Sequence, residues 1–367
     1  MGDTNERIVV AGGGTGGHVY PGVAIARELQ RRRPQRELLF VGTAHGMETN
    51  LVPAEGFRLE TIRASGLVGV GMMAQLRGLA RLPLGLLDSW RILADFRPQL
   101  VVGVGGYASG PVLAAALLRR LPTLIHEQNR WPGITNRILS GWVDRIAVSF
   151  PGTTGRLGRK GTVTGNPVRP GFQAAAEQAP TNGPVRVLVF GGSRGARALN
   201  NAMVDALSQL ARQPQRLFLH HQTGPADLEH VQTAYREAGY TESRVEAYIR
   251  KMPEALASAH LVVCRAGAST LAELAQVGRA SILVPFPQAT HDHQWHNACG
   301  FVDAGAARLL EQKHLSGAVL ADLLGELSAD SETLADMSRA AHRLARPEAA
   351  ADIVDMAEEL IARRARA

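Results

Sequence analysis

The sequence predicts an α/β protein built from two parallel-sheet units, each covered by helices on both faces. Three observations predict it. Short apolar runs alternate with helical stretches along most of the chain, the pattern of a parallel sheet with crossover helices. Glycine-rich loops follow several of the runs, as they do where a strand turns into a helix beside a ligand. At 367 residues the chain is too long for one ordinary core and comfortable for two.

In the first half the strand-like runs are Ile8–Ala11, Leu38–Gly42, Leu100–Val104, Leu121–His126 and Arg145–Val148. Helical stretches lie at Pro21–Arg33 and Val112–Arg120. In the second half the runs are Val185–Phe190, Leu217–His221, Leu261–Cys264 and Ala280–Val284, with helices at Ala198–Arg212 and Ser269–Val277. Beyond Val284 the chain is expected to end in helix, with Pro347 breaking or kinking the last stretch. Between the halves, Gly165-Asn166-Pro167-Val168-Arg169-Pro170 reads as a stiff turn, and Gln173 to Pro184 as a loop. The expected domains are therefore 1–166 and 167–344. Ligands bind beyond the carboxyl ends of the strands in open α/β sheets. Two facing sheets would border one shared cleft.

Charge is uneven. Residues 1–168 carry 20 Lys+Arg and 11 Asp+Glu, a net of +9, and the remainder carries −2. The basic half should face something anionic: nucleic acid, a membrane surface or a phosphorylated substrate. Aromatics are only 5% and are not interleaved with arginine, which argues against nucleic acid. Cys264 and Cys299 are the only cysteines, so a reducing compartment fits better than a disulfide framework. The polar start, Met1 to Arg7, runs straight into a strand and reads as no signal peptide. Leu100 to Leu118 is uncharged for 19 residues, long enough to span a bilayer, but five glycines and prolines near its centre make it strand, loop and helix.

The loops carry the chemistry. Gly12-Gly13-Gly14-Thr15-Gly16-Gly17-His18 follows a strand and opens a helix, a geometry that offers backbone N–H groups to phosphate. Gly12, Gly14 and Gly17 satisfy the dinucleotide fingerprint, but neither Gly42 nor Thr43 supplies the acidic residue that NAD or FAD would need. Gly103-Val104-Gly105-Gly106-Tyr107-Ala108-Ser109-Gly110-Pro111 and Gly191-Gly192-Ser193-Arg194-Gly195-Ala196 repeat the pattern, and no Gly-Lys-Ser/Thr follows any of them. Three such loops imply at least two phosphates. His126-Glu127-Gln128-Asn129 ends an apolar run and offers donors and acceptors to a ligand, or is a satisfied strand terminus. In Cys264-Arg265-Ala266-Gly267-Ala268-Ser269-Thr270-Leu271-Ala272-Glu273, Ser269 or Thr270 is a candidate helix cap. Glu273 is a candidate for both hydroxyls of a ribose, with a diphosphate on the helix N-terminus. His291, His293 and His296 invite a metal, but their spacing does not share one helix face and no ligand set completes them. Gln294 and Asn297 suit sugar hydroxyls better, since amides both donate and accept.

Together GGGTGGHVYPG, GGYASGP, HEQN, GNPVR, GGSRGA, CRAGASTLAE and DHQWHNA resemble the MurG family. These enzymes add N-acetylglucosamine to an undecaprenyl-diphosphate-linked muramoyl-pentapeptide, turning lipid I into lipid II in peptidoglycan synthesis. The resemblance implies a GT-B architecture, with a C-terminal helix, 345–367, packing back on the first domain. It implies inversion, a β-1,4 linkage, UDP-N-acetylglucosamine as donor, and no cofactor or bound metal. Donor contacts carry over to Thr15, Gly16, Gly17, Asn129, Arg169, Ser193, Ile249, Ala268, Ser269, Thr270, Leu271, Ala272, Glu273 and Gln294. Of these, the backbone of Ile249 would read uracil. Gly13, Gly14, Gly105, Gly106 and Tyr107 would meet the acceptor's diphosphate.

His18 is the expected general base, titratable near neutrality at the mouth of the first loop, with Glu127 as the second choice. The segment Met72 to Arg97 sets Leu76, Leu79, Leu82, Leu84, Leu86, Leu87, Trp90, Ile92 and Leu93 among four arginines, the composition of an interfacial helix as well as of a core one. Leu79 and Trp90 are its expected contacts with an anionic membrane, at the cytoplasmic face of the inner membrane. Two other readings stay open: a nucleotide-sugar epimerase on the same scaffold, and a non-catalytic UDP-sugar-binding partner.

Overall fold

The structure is a computed structural model. It describes residues 6–64, 72–158, 160–176, 183–192, 195–214 and 216–366, without the side chains of 72–81, 174, 176 and 365. The chain divides into two compact units, Met1–Arg169 with Arg346–Ala367, and Pro170–Ala345.

The first unit is a parallel sheet of β1 (Arg7–Ala11), β2 (Glu37–Thr43), β3 (Arg58–Ile62), β4 (Leu100–Gly103), β5 (Thr123–Glu127), β6 (Arg145–Val148) and β7 (Gly161–Val163). Its spatial order is β3-β2-β1-β4-β5-β6-β7. Successive side chains of β1 serve opposite faces. Ile8 and Val10 pack with Leu100 and Val102 under the helices Gly16–Arg32 and Ala349–Arg366. Val9 and Ala11 pack with Leu39, Val101, Leu93 and Val112 on the other side. A strand buried on both faces must be apolar throughout, which is why these runs do not alternate with polar residues.

The last helix is fixed to this unit in two ways. Ile353, Val354, Ala357 and Leu360 complete the core. The buried Arg36 guanidinium donates to Glu6, to Glu358 of that helix and to the Leu29 carbonyl. The preceding helix, Ser331–Arg343, stops before Pro347.

The second unit is a parallel sheet of β8 (Arg186–Phe190), β9 (Phe218–Gln222), β10 (Arg244–Glu246), β11 (Leu261–Cys264), β12 (Ala280–Leu283) and β13 (Ala307–Leu309), in the order β10-β9-β8-β11-β12-β13. Val187, Val189, Leu219, Val263 and Ile282 share one core with Leu199, Met203, Leu320 and Leu324 of the covering helices.

Two expectations are corrected. The first helix begins at Gly16 rather than Pro21, because Thr15 already accepts from the His18 and Val19 N–H groups. Pro21 therefore lies inside the helix, leaving one bond unmade. The chain after Val284 is not all helix: β13 intervenes as a three-residue edge strand, too short to leave a periodic signature. Leu100–Leu118 is β4, a loop and the helix Ser109–Leu118. Among the described residues no helix is long and apolar enough to cross a membrane.

Candidate active site

In each unit the strand order reverses at one place: between β1 and β4, and between β8 and β11. There the connections diverge to opposite faces and leave a crevice beyond the strand ends. Gly12–Gly17 follows β1, Gly105–Gly110 follows β4, Gly191–Gly195 follows β8, and Arg265–Gly267 follows β11. Four of the motifs singled out in the sequence thus stand in pairs at the two switch points, while HEQN closes β5 and DHQWHNA follows β12.

In the first unit the two loops pack backbone against backbone. Gly12 N donates to the Val41 carbonyl at 3.0 Å, and Gly13 N to the Gly105 carbonyl at 3.3 Å. Gly106 has φ +82°, and a Cβ there would stand 2.2 Å from Gly13 O, so no other residue fits. Beneath them lies a carboxylate that sequence reasoning missed. Glu48 is buried; one oxygen accepts from Gly14 N at 2.6 Å, the other from Thr43 N and Oγ1 at 2.8 Å. Cβ atoms at Gly13, Gly42 or Gly46 would collide with it. Several of these glycines therefore make room for Glu48 and for each other. The N–H groups of Gly13 and Gly14, expected to meet a diphosphate, are both engaged within the fold. A Cβ at Gly14 would meet nothing within 4 Å, so the open edge of the loop starts there.

His18 stands in the first turn of the helix Gly16–Arg32. Its Nδ1 lies 3.2 Å from the Gly13 carbonyl and 3.4 Å from Thr15 Oγ1. A carbonyl only accepts, so in the neutral ring Nδ1 carries the proton and Nε2 the lone pair. Arg169 stacks its guanidinium 4.4 Å from the ring centre of Tyr20, on the same helix.

HEQN divides its labour. His126 is fully buried at the end of β5; its Nε2–H donates to the Gly165 carbonyl at 3.2 Å, and its Nδ1 accepts from Gln128 Nε2 at 3.1 Å. Burial pushes its pKa down to about 4. Glu127 is also buried, and burial pushes its pKa up. One of its oxygens accepts from Asn129 N and Nδ2, the other from Gly133 N and Asn136 Nδ2. This carboxylate shapes the turn that presents Asn129. Both of its oxygens are engaged, which leaves His18 the better placed of the two expected bases.

In the second unit, Gly195 has φ +75°, and a Cβ there would stand 1.8 Å from the Thr223 carbonyl. That carbonyl accepts from buried Asn200 Nδ2 at 2.9 Å. Asn200 Oδ1 accepts from His221 Nε2, whose Nδ1 accepts from Tyr235. Ser193, between the two glycines, lies outside the described residues. Gln222 donates to Gly192 O and accepts from Ile249 N, both near 2.9 Å. The Ile249 N–H is thus occupied.

The helix Ala268–Val277 has Gly267 at its N-cap and no side-chain cap bond. Ser269 and Thr270 lie inside the first turn, so the capping alternative for this segment is corrected. Glu273 follows one turn on and is buried. Gln294 Oε1 accepts from Phe286 N at 2.9 Å. Asn297 is fully buried, with its Nδ2 3.3 Å from the Ala266 carbonyl. His291 and Asp292 both have left-handed backbone, with φ of +53° and +50°, a strain that clusters at functional loops.

Models of the glycosyltransferase family 28 N-terminal and C-terminal domains match residues 8–148 and 186–355. A protein of Anaeromyxobacter sp. (strain K) is 47% identical over 360 residues, 98% of this chain and 94% of its own. It is named UDP-N-acetylglucosamine–N-acetylmuramyl-(pentapeptide) pyrophosphoryl-undecaprenol N-acetylglucosamine transferase. A protein of Myxococcus xanthus with the same name is 44% identical over 357 residues, 97% of this chain and 93% of its own. The crystal structure of Acinetobacter baumannii MurG superposes with a TM-score of 0.80 at 31% identity, covering 96% of this chain and 99% of that one. The chain belongs to the MurG family. Its fold is GT-B, two Rossmann-like parallel-sheet domains. The UDP-GlcNAc 2-epimerase of Neisseria meningitidis, at a TM-score of 0.69 and 12% identity, shares the fold alone.

The buried histidines make acid stability a readout of this architecture. Burial holds His126 near 4 and His221 near 3, against 6.5 for a free ring. Below pH 6.5 the unfolded chain takes up protons that the native one refuses, so stability falls as pH falls. The loss should be on the order of 2 kcal/mol per ring at pH 5. Urea unfolding between pH 7 and 5 should show it, and a flat profile would contradict neutral burial.

Proposed function

We propose that this chain transfers N-acetylglucosamine from UDP-N-acetylglucosamine to the C4 hydroxyl of the N-acetylmuramoyl sugar of lipid I, giving lipid II. The observation that carries the reading is near-full-length identity to transferases of that name, joined to motifs placed at both switch points. The epimerase alternative has only the scaffold in its favour. A non-catalytic role leaves the ordered His18 tautomer without a use.

In this reading the second unit takes the donor. The Ile249 carbonyl accepts the uracil N3–H, since its own N–H is engaged by Gln222. The N-terminal turn of the helix Ala268–Val277, from Ala268 through Leu271 and Ala272, takes the diphosphate, and Glu273 the ribose hydroxyls. The Gln294 NH₂ donates to the sugar. Ser193 and Arg169 are further proposed donor contacts.

The first unit takes the acceptor. Gly105, Gly106 and Tyr107 face its diphosphate, while Gly13 and Gly14 give the loop its shape. Thr15, Gly16, Gly17 and Asn129 lie at the donor sugar. The acceptor hydroxyl oxygen attacks the anomeric carbon from the face opposite UDP. Its proton passes to His18 Nε2, the bond to the phosphate oxygen breaks, and UDP leaves with the electron pair.

We also propose where the enzyme meets the membrane. The helices Met72–Phe96, Ser109–Leu118 and Ile134–Leu139 pack side by side on one face of the first sheet. Leu93 is core, but Leu84, Leu87 and Trp90 are exposed, with Arg119 stacked 4.8 Å over Trp90. The side chain of Leu79 lies outside the described residues. The same face exposes residues the sequence reading passed over: Leu118 at 65%, Ile138 at 67% and Trp142 at 74%. Aromatics and leucines among arginines are the composition of an interfacial surface, and the net +9 of residues 1–168 suits an anionic leaflet. The acceptor's lipid tail is anchored there, at the cytoplasmic face.

Incubation with radiolabelled UDP-N-acetylglucosamine and a lipid I analogue should place label in lipid; none, with active relatives as control, refutes the reading. In that assay His18→Ala should cut kcat roughly 100-fold or more with little change in UDP affinity. Glu273→Ala should raise the donor KM strongly, and Glu273→Gln less. With capping set aside, a fall in melting temperature alone would contradict the ribose role. Changing Trp90 and Trp142 together to Ser should weaken sedimentation with anionic vesicles by about tenfold. Activity on a short-chain acceptor should be kept; undiminished vesicle binding would remove this face as the docking surface.

A further inference from the structure

Gln128 is buried, only 2% exposed, and its carboxamide orientation is forced. Its nitrogen lies 2.8 Å from the Val104 carbonyl and 3.1 Å from His126 Nδ1. Both are acceptors, because His126 places its proton on Nε2 toward Gly165. The reverse orientation would set oxygen against two acceptors. Gln128 Oε1 therefore has a fixed direction, yet it has no hydrogen-bond partner among the described residues. A buried carbonyl oxygen without a partner is costly and calls for a use.

Its surroundings indicate that use. The point where a Gly105 Cβ would stand is 3.4 Å from Gln128 Oε1, 3.1 Å from His18 Nε2 and 2.8 Å from His18 Cδ2. The orphan oxygen and the reactive edge of the imidazole thus both lie within 3.4 Å of one point, which stays unfilled because residue 105 is glycine at φ +87°. A neutral ring gains little from that oxygen. A ring that has just taken a proton becomes a cation beside the negative end of a buried dipole, where low polarity strengthens the attraction.

We propose that Gln128 is a positioning residue for catalysis: its fixed carboxamide dipole stabilises the protonated form of His18 and so sets the basicity of that ring. The inference rests on His18 being the base. Other groups act around the same ring from the elements packed against it. His126 on β5 is neutral, and Glu127 faces its own turn. Glu48 is bound to Gly14 and Thr43, and Tyr20 and Arg169 stack on one another. Among these, Gln128 combines a fixed direction with an unused acceptor.

The test is a pH titration of two properties. Selectively ¹⁵N-histidine-labelled protein, with His18 assigned by difference from His18→Gln, gives the ring's own pKa by NMR. The acidic limb of kcat/KM in the transfer assay gives the kinetic one. In the wild type the two should coincide; if His18 titrates elsewhere, the base assignment fails, and this inference with it. Gln128→Met keeps the shape and removes the dipole. It should lower both values by about one pH unit, roughly a tenfold weakening of proton affinity. Gln128→Glu keeps an oxygen in place and should hold both values at or above those of the wild type. A merely structural role would lower activity or melting temperature without moving either value. An unmoved His18 pKa in Gln128→Met, with the two wild-type values coincident, overturns the proposal while leaving the base assignment intact. If Gln128→Met does not fold, a downward shift in Gln128→Glu overturns it instead.

Discussion

The contact on which the first unit's site depends is the meeting of bare backbone at the end of β1 and β4. Adjacent parallel strands end about 4.8 Å apart, so the loops that leave them must either splay or touch. Here they touch, through Gly13 and Gly105–Gly106, with no side chain between. That closeness brings a helix start and its His18 over the neighbouring loop. It also creates an electrostatic problem, since amide N–H groups turned inward need acceptors. Glu48 supplies one by inserting a carboxylate under Gly14 and Thr43. The inner side of the glycine-rich loop is thus filled by the protein's own carboxylate.

The second unit solves the same problem with neutral groups. Gly195 closes on the Thr223 carbonyl, and Asn200 holds that carbonyl from behind. A chain through His221 to the Tyr235 hydroxyl satisfies Asn200 in turn. Asn200, His221, Thr223 and Tyr235 are all buried, so each bond matters more than a surface one would. The two loops thus differ in what lies beneath their backbone: a carboxylate in the first unit, neutral amide, imidazole and phenol groups in the second.

Much of this was legible in the sequence. Strands buried on both faces leave apolar runs, and loops of close backbone contact leave glycines, so the sheet strands and switch-point motifs could be located. What stayed hidden has physical reasons. β3, β10 and β13 are edge strands, short or mixed in polarity, with little burial to impose a pattern. Glu48 looks like any helix-start acid until its carboxylate is seen beneath three glycines. Gly42 and Gly46, which leave room for it, were the available signal. Asn297 and Gln294 are three residues apart and chemically alike, yet one is core and the other accepts from the Phe286 backbone. No local property of the sequence separates them. Trp142 lies beyond a short helix rather than in an evident amphipathic stretch, so its exposure depends on packing alone.

The strand that ends in HEQN shows how one short motif serves several physical ends. His126 and Gln128 are two residues apart, so they project from the same side of an extended chain. That register lets Gln128 bond His126 and Val104 together, tying the Gly165 turn to the β4 loop. Glu127, between them, points the other way and organises the turn through Asn136. A carboxyl group at position 128 would need a proton on the oxygen that faces the Val104 carbonyl at 2.8 Å, and an apolar group would leave two acceptors bare. The amide is the group that can donate on one side and keep a carbonyl oxygen turned toward the ring on the other. Polarity at the end of this strand is therefore not a solvated terminus. It is the linkage through which the fold of the sheet reaches the proposed base.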